Sequence, residues 1–305
     1  RLLGTLGCTG PGYRLSKIRQ EVVSMSFVNS AVTAAVANAE RRQKNALAGV
    51  YSGRSRVVLQ RGFFALRTSN LVAVATGFLE PLFFLLAFGF GLGALVGGIT
   101  DGSGKEVTFA AYIAPALLAT SAMNGAIFDS TWNVYFKMHF AKLYESMLAT
   151  SLGPLDVALG EIAWALVRGA MYAISFMFIM WPLGLIPSWW GLLAIPGAVL
   201  IAFGFSSVGM AVTSYLKSFH QMNYVNFFML PMFLFSGTFY PLSVYPEWLQ
   251  ALIQAMPLWH AIQLERAFTL GNIGPELFGH ILYFAVMIVV GLFFTTKRLT
   301  ALFMR

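Results

Sequence analysis

Six stretches of apolar residues, each approaching or exceeding the roughly 20 needed to cross a bilayer as a helix, constrain this chain more than any other feature. They cover about 71–96, 107–130, 155–181, 190–214, 222–240 and 277–296. Lipid offers no hydrogen bonds to a bare backbone, so a chain of this kind crosses as helices. The charged fraction agrees: 10% of residues are Asp, Glu, Lys or Arg against 58% hydrophobic, where soluble domains carry about 25% charged. The expected fold is an all-α polytopic membrane protein with six transmembrane helices. No internal repeat or low-complexity tract stands out.

Charge placement sets the orientation. The net charge of +8 could suit nucleic acid, but eleven of the twenty basic residues precede position 70. Lys137 and Lys142 lie between spans two and three, Lys217 between four and five, and Lys297, Arg298 and Arg305 follow span six. The other side carries only Lys105 and Arg266. Basic loops stay cytoplasmic, so both termini are expected inside, the span count is even, and the protein belongs in the plasma membrane with lipid rather than nucleic acid around it. Residues 1–52 are expected to form a cytoplasmic tail and 53–305 the membrane domain. Within the tail, Ala31–Ala39 is too short to span. Over 54–68, Leu59, Phe63 and Leu66 share a face with Arg54 and Arg61 opposite, which predicts an amphipathic interfacial helix. Cys8 is the single cysteine, so no intrachain disulfide can form.

Pro231–Phe268 breaks the pattern. Gly237, Pro241, Pro246 and Pro257 interrupt it, since proline lacks a backbone donor and clashes inside a helix. The pieces flanking Pro257 are too short to cross and too aromatic for a solvated loop, with Trp248, Leu249, Leu252, Ile253, Leu258, Trp259 and Phe268. Residues 241–276 therefore read as a re-entrant helical hairpin on the outer face before the last span. A seventh span here would put the basic C-terminus outside.

The ordered set Ser236-Gly237, Pro241, Pro246, Trp248-Leu249, Pro257 and Glu265-Arg266 resembles the C-terminal signature of ABC-2-type exporter permeases. The likeness is nearest to the branch containing nodulation-type lipo-oligosaccharide exporters and daunorubicin-type drug exporters, and it extends over about residues 55–300.

Two further groups could carry function. Between spans two and three, Met138, Lys142, Glu145 and Ala149 recur at helical spacing, Phe140, Leu143, Tyr144, Met147 and Leu148 add an apolar side, and Gly153-Pro154 ends the run. A helix over 135–152 is expected. The segment resembles the family's coupling region, which docks into a separate ATPase subunit; Ser151 stands where relatives commonly have proline. The resemblance thus implies ATPase contacts at Tyr144, Glu145, Met147 and Leu148, with Tyr144 and Leu148 buried in the interface and Glu145 at its rim. A linker helix packed on its own bundle is the alternative.

The second group is four ionisable residues within or near spans: Glu80, Asp129, Glu161 and Arg168. Arg168 lies deepest, where a charge costs roughly 2.5–3.5 kcal/mol, so it requires a carboxylate. Glu161, seven residues earlier on the same face, and Glu80 on span one are the expected partners; Asp129 is expected at the interface and solvated. The network Glu80–Glu161–Arg168 reads as a polar lining or gate, or as a structural pair. The face of Gly89, Gly91, Gly93 and Gly97 suits close helix contact.

No metal or catalytic signature accompanies these groups. His139, His220, His260 and His280 lack metal-ligand spacing, no hydrolase triad is grouped, and the GSGKE stretch at 102–106 lacks the upstream Gly of a phosphate loop. The chain is expected to bind no cofactor and to be no enzyme by itself. The resemblance implies a permease half that pairs with a second copy, as a homodimer or alternatively a heterodimer. It also implies two copies of an ATPase holding ATP and Mg. The pathway would lie along spans one, two and five, with Phe228, Met232 and Phe235 as candidate lining. An amphipathic substrate (a lipid-linked oligosaccharide, a lipid or a hydrophobic drug) would move outward. An ATPase-independent channel or ion-coupled transporter would instead show inverted repeats with paired broken helices. A membrane enzyme would show clustered catalytic polar groups.

Overall fold

A computed structural model describes residues 50–66, 79, 82–100 and 106–303. The chain divides into two units, Arg1–Tyr51 and Ser52–Arg305, and the second holds all the helices named below. Residues 1–49 of the expected tail, the N-terminal part of span one with Glu80-Pro81, and residues 101–105 lie outside the described residues.

The unit is that of an all-α membrane protein. Its helices are α1 (Ser55–Leu66), α2 (Leu82–Val96), α3 (Phe109–Phe140), α4 (Leu143–Leu148), α5 (Pro154–Met180), α6 (Trp189–Tyr215), α7 (Met222–Phe235), α8 (Glu247–Ala255), α9 (Pro257–Leu270) and α10 (Glu276–Phe303). Four of them, α3, α5, α6 and α10, are long and apolar enough to cross a membrane. They correspond to expected spans two, three, four and six. The described part of span one, α2, is shorter and π-helical over Leu85–Leu92. Expected span five ends early: α7 stops at Phe235, because the backbone leaves the helical region at Ser236 and turns at Gly237, whose φ is 74°. Where a loop was expected after span one, β1 (Gly98–Thr100) and β2 (Glu106–Thr108) pair antiparallel, with Ile99 opposite Val107.

Helix α3 is the centre. It packs against α2, α5, α6 and α9. A helix apolar on every side is a buried helix, and from Phe109 to Ile127 nearly every α3 side chain is shielded by the protein. Its many alanines let neighbours come close. At the rim, α10 lies along α6 with Gly291 against the Ser207 backbone, where a Cβ would stand only 2.6 Å from the Ser207 carbonyl carbon. The opposite side of α10 presents Phe278, Leu282, Val286, Val289 and Phe293, a helical stripe left for lipid.

Helix α1 is fastened to α5. The Asp156 carboxylate accepts from the backbone N–H of Ser52 (2.6 Å), Arg54 (2.8 Å) and Gly153 (3.0 Å) and from the Ser52 hydroxyl (2.9 Å). One carboxylate thus satisfies orphan donors before both helices. Val58 of α1 is buried, seated where Gly160 leaves room, and Phe63 meets Trp164 edge-on at 5.4 Å. Arg61, on the other side of α1 from Leu59 and Phe63, turns toward Glu161 of α5 (4.0 Å). That carboxylate, on the helix α1 packs against, draws it inward.

Candidate functional site

Two carboxylates of the spans, Asp129 on α3 and Glu161 on α5, hold three ion pairs. Arg168 Nε lies 2.7 Å from Asp129 Oδ2, and Glu161 binds Lys137 and Arg61. The expected Arg168–Glu161 pair is absent, and Glu80 lies outside the described residues. Asp129, expected to be solvated, is 3% exposed. The reason is the length of α3. The sequence places the end of span two near residue 130, but the helix runs on to Phe140 through two π-helical stretches, Asp129–Asn133 and Phe136–Phe140. Asp129 therefore sits inside a helix and faces α5. π-Helical turns admit an extra residue and shift the facing of side chains; here Asn133 reaches back to Asp129 and Lys137 reaches Glu161.

Next to this network the chain breaks where one helix over 135–152 was expected. Lys142 takes a left-handed conformation, φ 46° and ψ 30°, and α4 is only six residues long. The reversal folds α4 against α5 and α10. As a result Tyr144 is fully buried among Val58, Val134, Met138, Val157, Ile162, Met210 and Leu299 of this same chain. Burial, reinforced by Glu161, pushes its phenol well above the usual range, so it stays neutral. Tyr144 is therefore a core residue and offers no surface to a partner, contrary to the contact expected of it with Leu148. Met147 and Leu148 are half-buried and Glu145 is exposed. The exposed apolar surface lies one segment earlier: Phe136 and Phe140, 57% and 61% exposed, stack on each other at 4.8 Å. Their i, i+4 spacing is legible in the sequence, but a register drawn through Tyr144 passes over Phe136.

The hairpin residues form a second centre. Pro241 precedes a short turn at Leu242–Val244, Pro246 precedes α8, and Pro257 opens α9 after Met256 takes an extended conformation. Trp248 on α8 is exposed. Helix α9 is anchored by Arg266, whose guanidinium sits 3.8 Å from the centre of the Tyr112 ring. It donates to the carbonyls of Gly237 (2.8 Å), Tyr112 (3.4 Å) and Thr238 (3.5 Å). A buried cation is thereby satisfied by carbonyl dipoles and an aromatic face, and the end of α7, the hairpin and α3 are tied together. Neighbouring Glu265 is also fully buried.

The candidate lining residues separate by exposure. Phe228 and Phe235 are exposed, together with Tyr224, Phe227, Leu230 and Leu234, whereas Met232 packs against the central core. One face of α7 is therefore uncovered in the single chain. Among the described residues no group of three His, Cys, Asp or Glu could hold a metal ion.

Four membrane-length helices with α3 buried among its neighbours, ion pairs between α3 and α5, and an uncovered aromatic helix define a multi-pass helical membrane protein. The sequence matches the ABC-2 type transporter family over residues 55–268, and the chain belongs to that family. It is similar to Nodulation protein J of Sinorhizobium fredii, 31% identical over 244 residues that cover 79% of this chain and 91% of that protein. Nodulation protein J of Rhizobium leguminosarum bv. viciae is 30% identical over 250 residues, covering 81% and 94%. That of Rhizobium meliloti is 29% identical over 244 residues, covering 79% and 91%.

Proposed function

We propose that this chain is the membrane subunit of an ATP-driven exporter that moves an amphipathic molecule outward, powered by an ABC ATPase on a separate chain. The observation that carries the reading is the stacked Phe136–Phe140 pair, apolar and exposed at the end of α3 beside the exposed Glu145. Exposed aromatic pairs call for a partner that covers them, and aromatic anchors ringed by polar groups are how interfaces concentrate binding energy. In this reading Phe136 and Phe140 enter the ATPase, Leu148 and Met147 support them, and Glu145 is a rim contact. ATP and Mg belong to the ATPase.

The chain crosses six times with both termini in the cytoplasm, and α8–α9 form the re-entrant hairpin on the outer face. Two copies assemble along the uncovered face of α7, where Tyr224, Phe227, Phe228 and Leu234 form an exposed apolar, largely aromatic surface. The pathway runs between the copies, and its aromatic walls suit a substrate with a lipid tail, such as a lipid-linked oligosaccharide, or a hydrophobic drug. The Asp129–Arg168 and Glu161–Lys137 pairs fasten α3 to α5 next to the docking segment, where they transmit its movement. The test is co-expression of this chain with the candidate ABC ATPases of the same genome. A stable complex of this chain with one of them is expected. Purification of this chain without any ATPase, in a membrane where both are abundant, overturns the reading.

A further inference from the structure

Glu265 has no part in the exporter scheme. It lies in the middle of α9 and is fully buried, and neither carboxyl oxygen has a hydrogen-bond partner among the described residues. Its surroundings are apolar. Gly197 of α6 is so near that a Cβ there would stand 2.9 Å from Glu265 Oε1 and 3.0 Å from the Phe268 ring. Arg266 cannot serve it, because successive residues of a helix diverge and the guanidinium is taken by Tyr112, Gly237 and Thr238.

The elements packed on α9 supply few titratable groups. Near α9 they are Tyr112 on α3, Glu247 on α8, and Glu276, His280 and Tyr283 on α10; Asp129, Tyr135, Lys137 and His139 of α3 and Lys297 and Arg298 of α10 lie toward the opposite ends of those helices. The 189–193 turn and α6 as far as Ser214 have none, and α9 itself adds His260. None of these acts on Glu265: burial by itself pushes its carboxyl well above the usual range. An ionised carboxylate in such a place is so costly that the group takes up a proton instead.

We propose that Glu265 is a proton-binding site, loaded while α9 is packed against Gly197 and unloaded to water when α9 moves away from α6. On unloading, the O–H bond breaks, its electron pair stays on the carboxylate and the proton passes to water. Any step that parts the hairpin from α6 therefore releases one proton, and alkaline conditions favour the parted arrangement.

The folded-state acidity constant lies above the unfolded value of 4.5. The stability tied to this proton is thus complete below that value and is lost as pH rises. His260 acts in the opposite direction and is silent above 6.5, so the measurement is made from about pH 6.5 to about pH 8.5. The purified full chain in lipid nanodiscs is unfolded thermally, as parent and as Glu265→Gln, which keeps the shape of the protonated acid. The parent midpoint is expected to fall by up to about 4 °C per pH unit, and the variant is expected to lose that slope. Infrared spectra at about pH 7 should show a protonated-carboxyl stretch in the parent that is missing in Glu265→Gln. If Glu265→Gln does not fold, Glu265→Asp is read instead and should move that band. An unmoved band, or the same pH slope in Glu265→Gln as in the parent, overturns the proposal.

Discussion

Removing the Arg168 guanidinium leaves Asp129 buried, its side chain 2% exposed, with the Asn133 amide as its remaining polar contact. Breaking a buried pair from one side costs about 3–5 kcal/mol, because the surviving charge is stranded. Arg168 is itself only 18% exposed, so water screens little of this. The guanidinium also lies 5.7 Å from the Phe128 ring, a contribution of roughly 0.5 kcal/mol. Arg168→Met should therefore lower stability in lipid by about 3–5 kcal/mol. Adding Asp129→Leu should recover part of the loss, since an apolar replacement of both partners leaves no stranded charge. A double-mutant cycle read by equilibrium unfolding in mixed micelles separates the alternatives. Coupling of about 1–3 kcal/mol is expected between Arg168 and Asp129, and under about 0.5 kcal/mol between Arg168 and Glu161. If Arg168 couples to Glu161 and not to Asp129, the placement of Asp129 inside the bundle is refuted.

The same geometry sets three other outcomes. Tyr144→Ala should cost about 3–5 kcal/mol of stability by emptying a core site, and should show this in the isolated chain without any ATPase. A surface residue would show nothing there. His260, held to about 4 by burial and by His280 2.7 Å away, binds protons more weakly folded than unfolded. Stability should thus fall as pH drops from 6.5 toward 4, and His260→Gln should flatten this limb of the thermal-shift curve. Cysteine placed at Gln250 or Gln254, with Cys8 replaced, should react with an impermeant thiol reagent from outside the cell. Reaction from the cytoplasm alone would remove the six-span topology.

The apolar runs and the prolines are directly legible because each is local: twenty apolar residues or a missing N–H acts within its own segment. That is why the start of α3, the helices α5, α6 and α10, and the break at Met256-Pro257 lie where the sequence puts them. Partner choice is not local. Asp129 escapes a sequence reading because nothing in its neighbours announces that the helix continues through two π turns. Tyr144 escapes it because the left-handed turn falls on a lysine rather than on the glycine that usually signals one. Arg266 is visible as part of a motif, but its partners, Tyr112 and the Gly237 and Thr238 carbonyls, are 154 to 28 residues away along the chain. The uncovered face of α7 is legible as aromatic content, and only its exposure, with Met232 turned inward, separates surface from core.

The central claim is that the exposed pair at the end of α3 joins this chain to an ATPase. The direct measurement is ATP hydrolysis by the co-purified complex in proteoliposomes, comparing the parent with Phe136→Ala combined with Phe140→Ala. The parent should hydrolyse ATP as a complex. The double variant should keep its thermal midpoint near the parent's, because both side chains are exposed, yet lose the ATPase on purification and with it the hydrolysis. A double variant that retains the ATPase and its hydrolysis at the parental level would contradict the account.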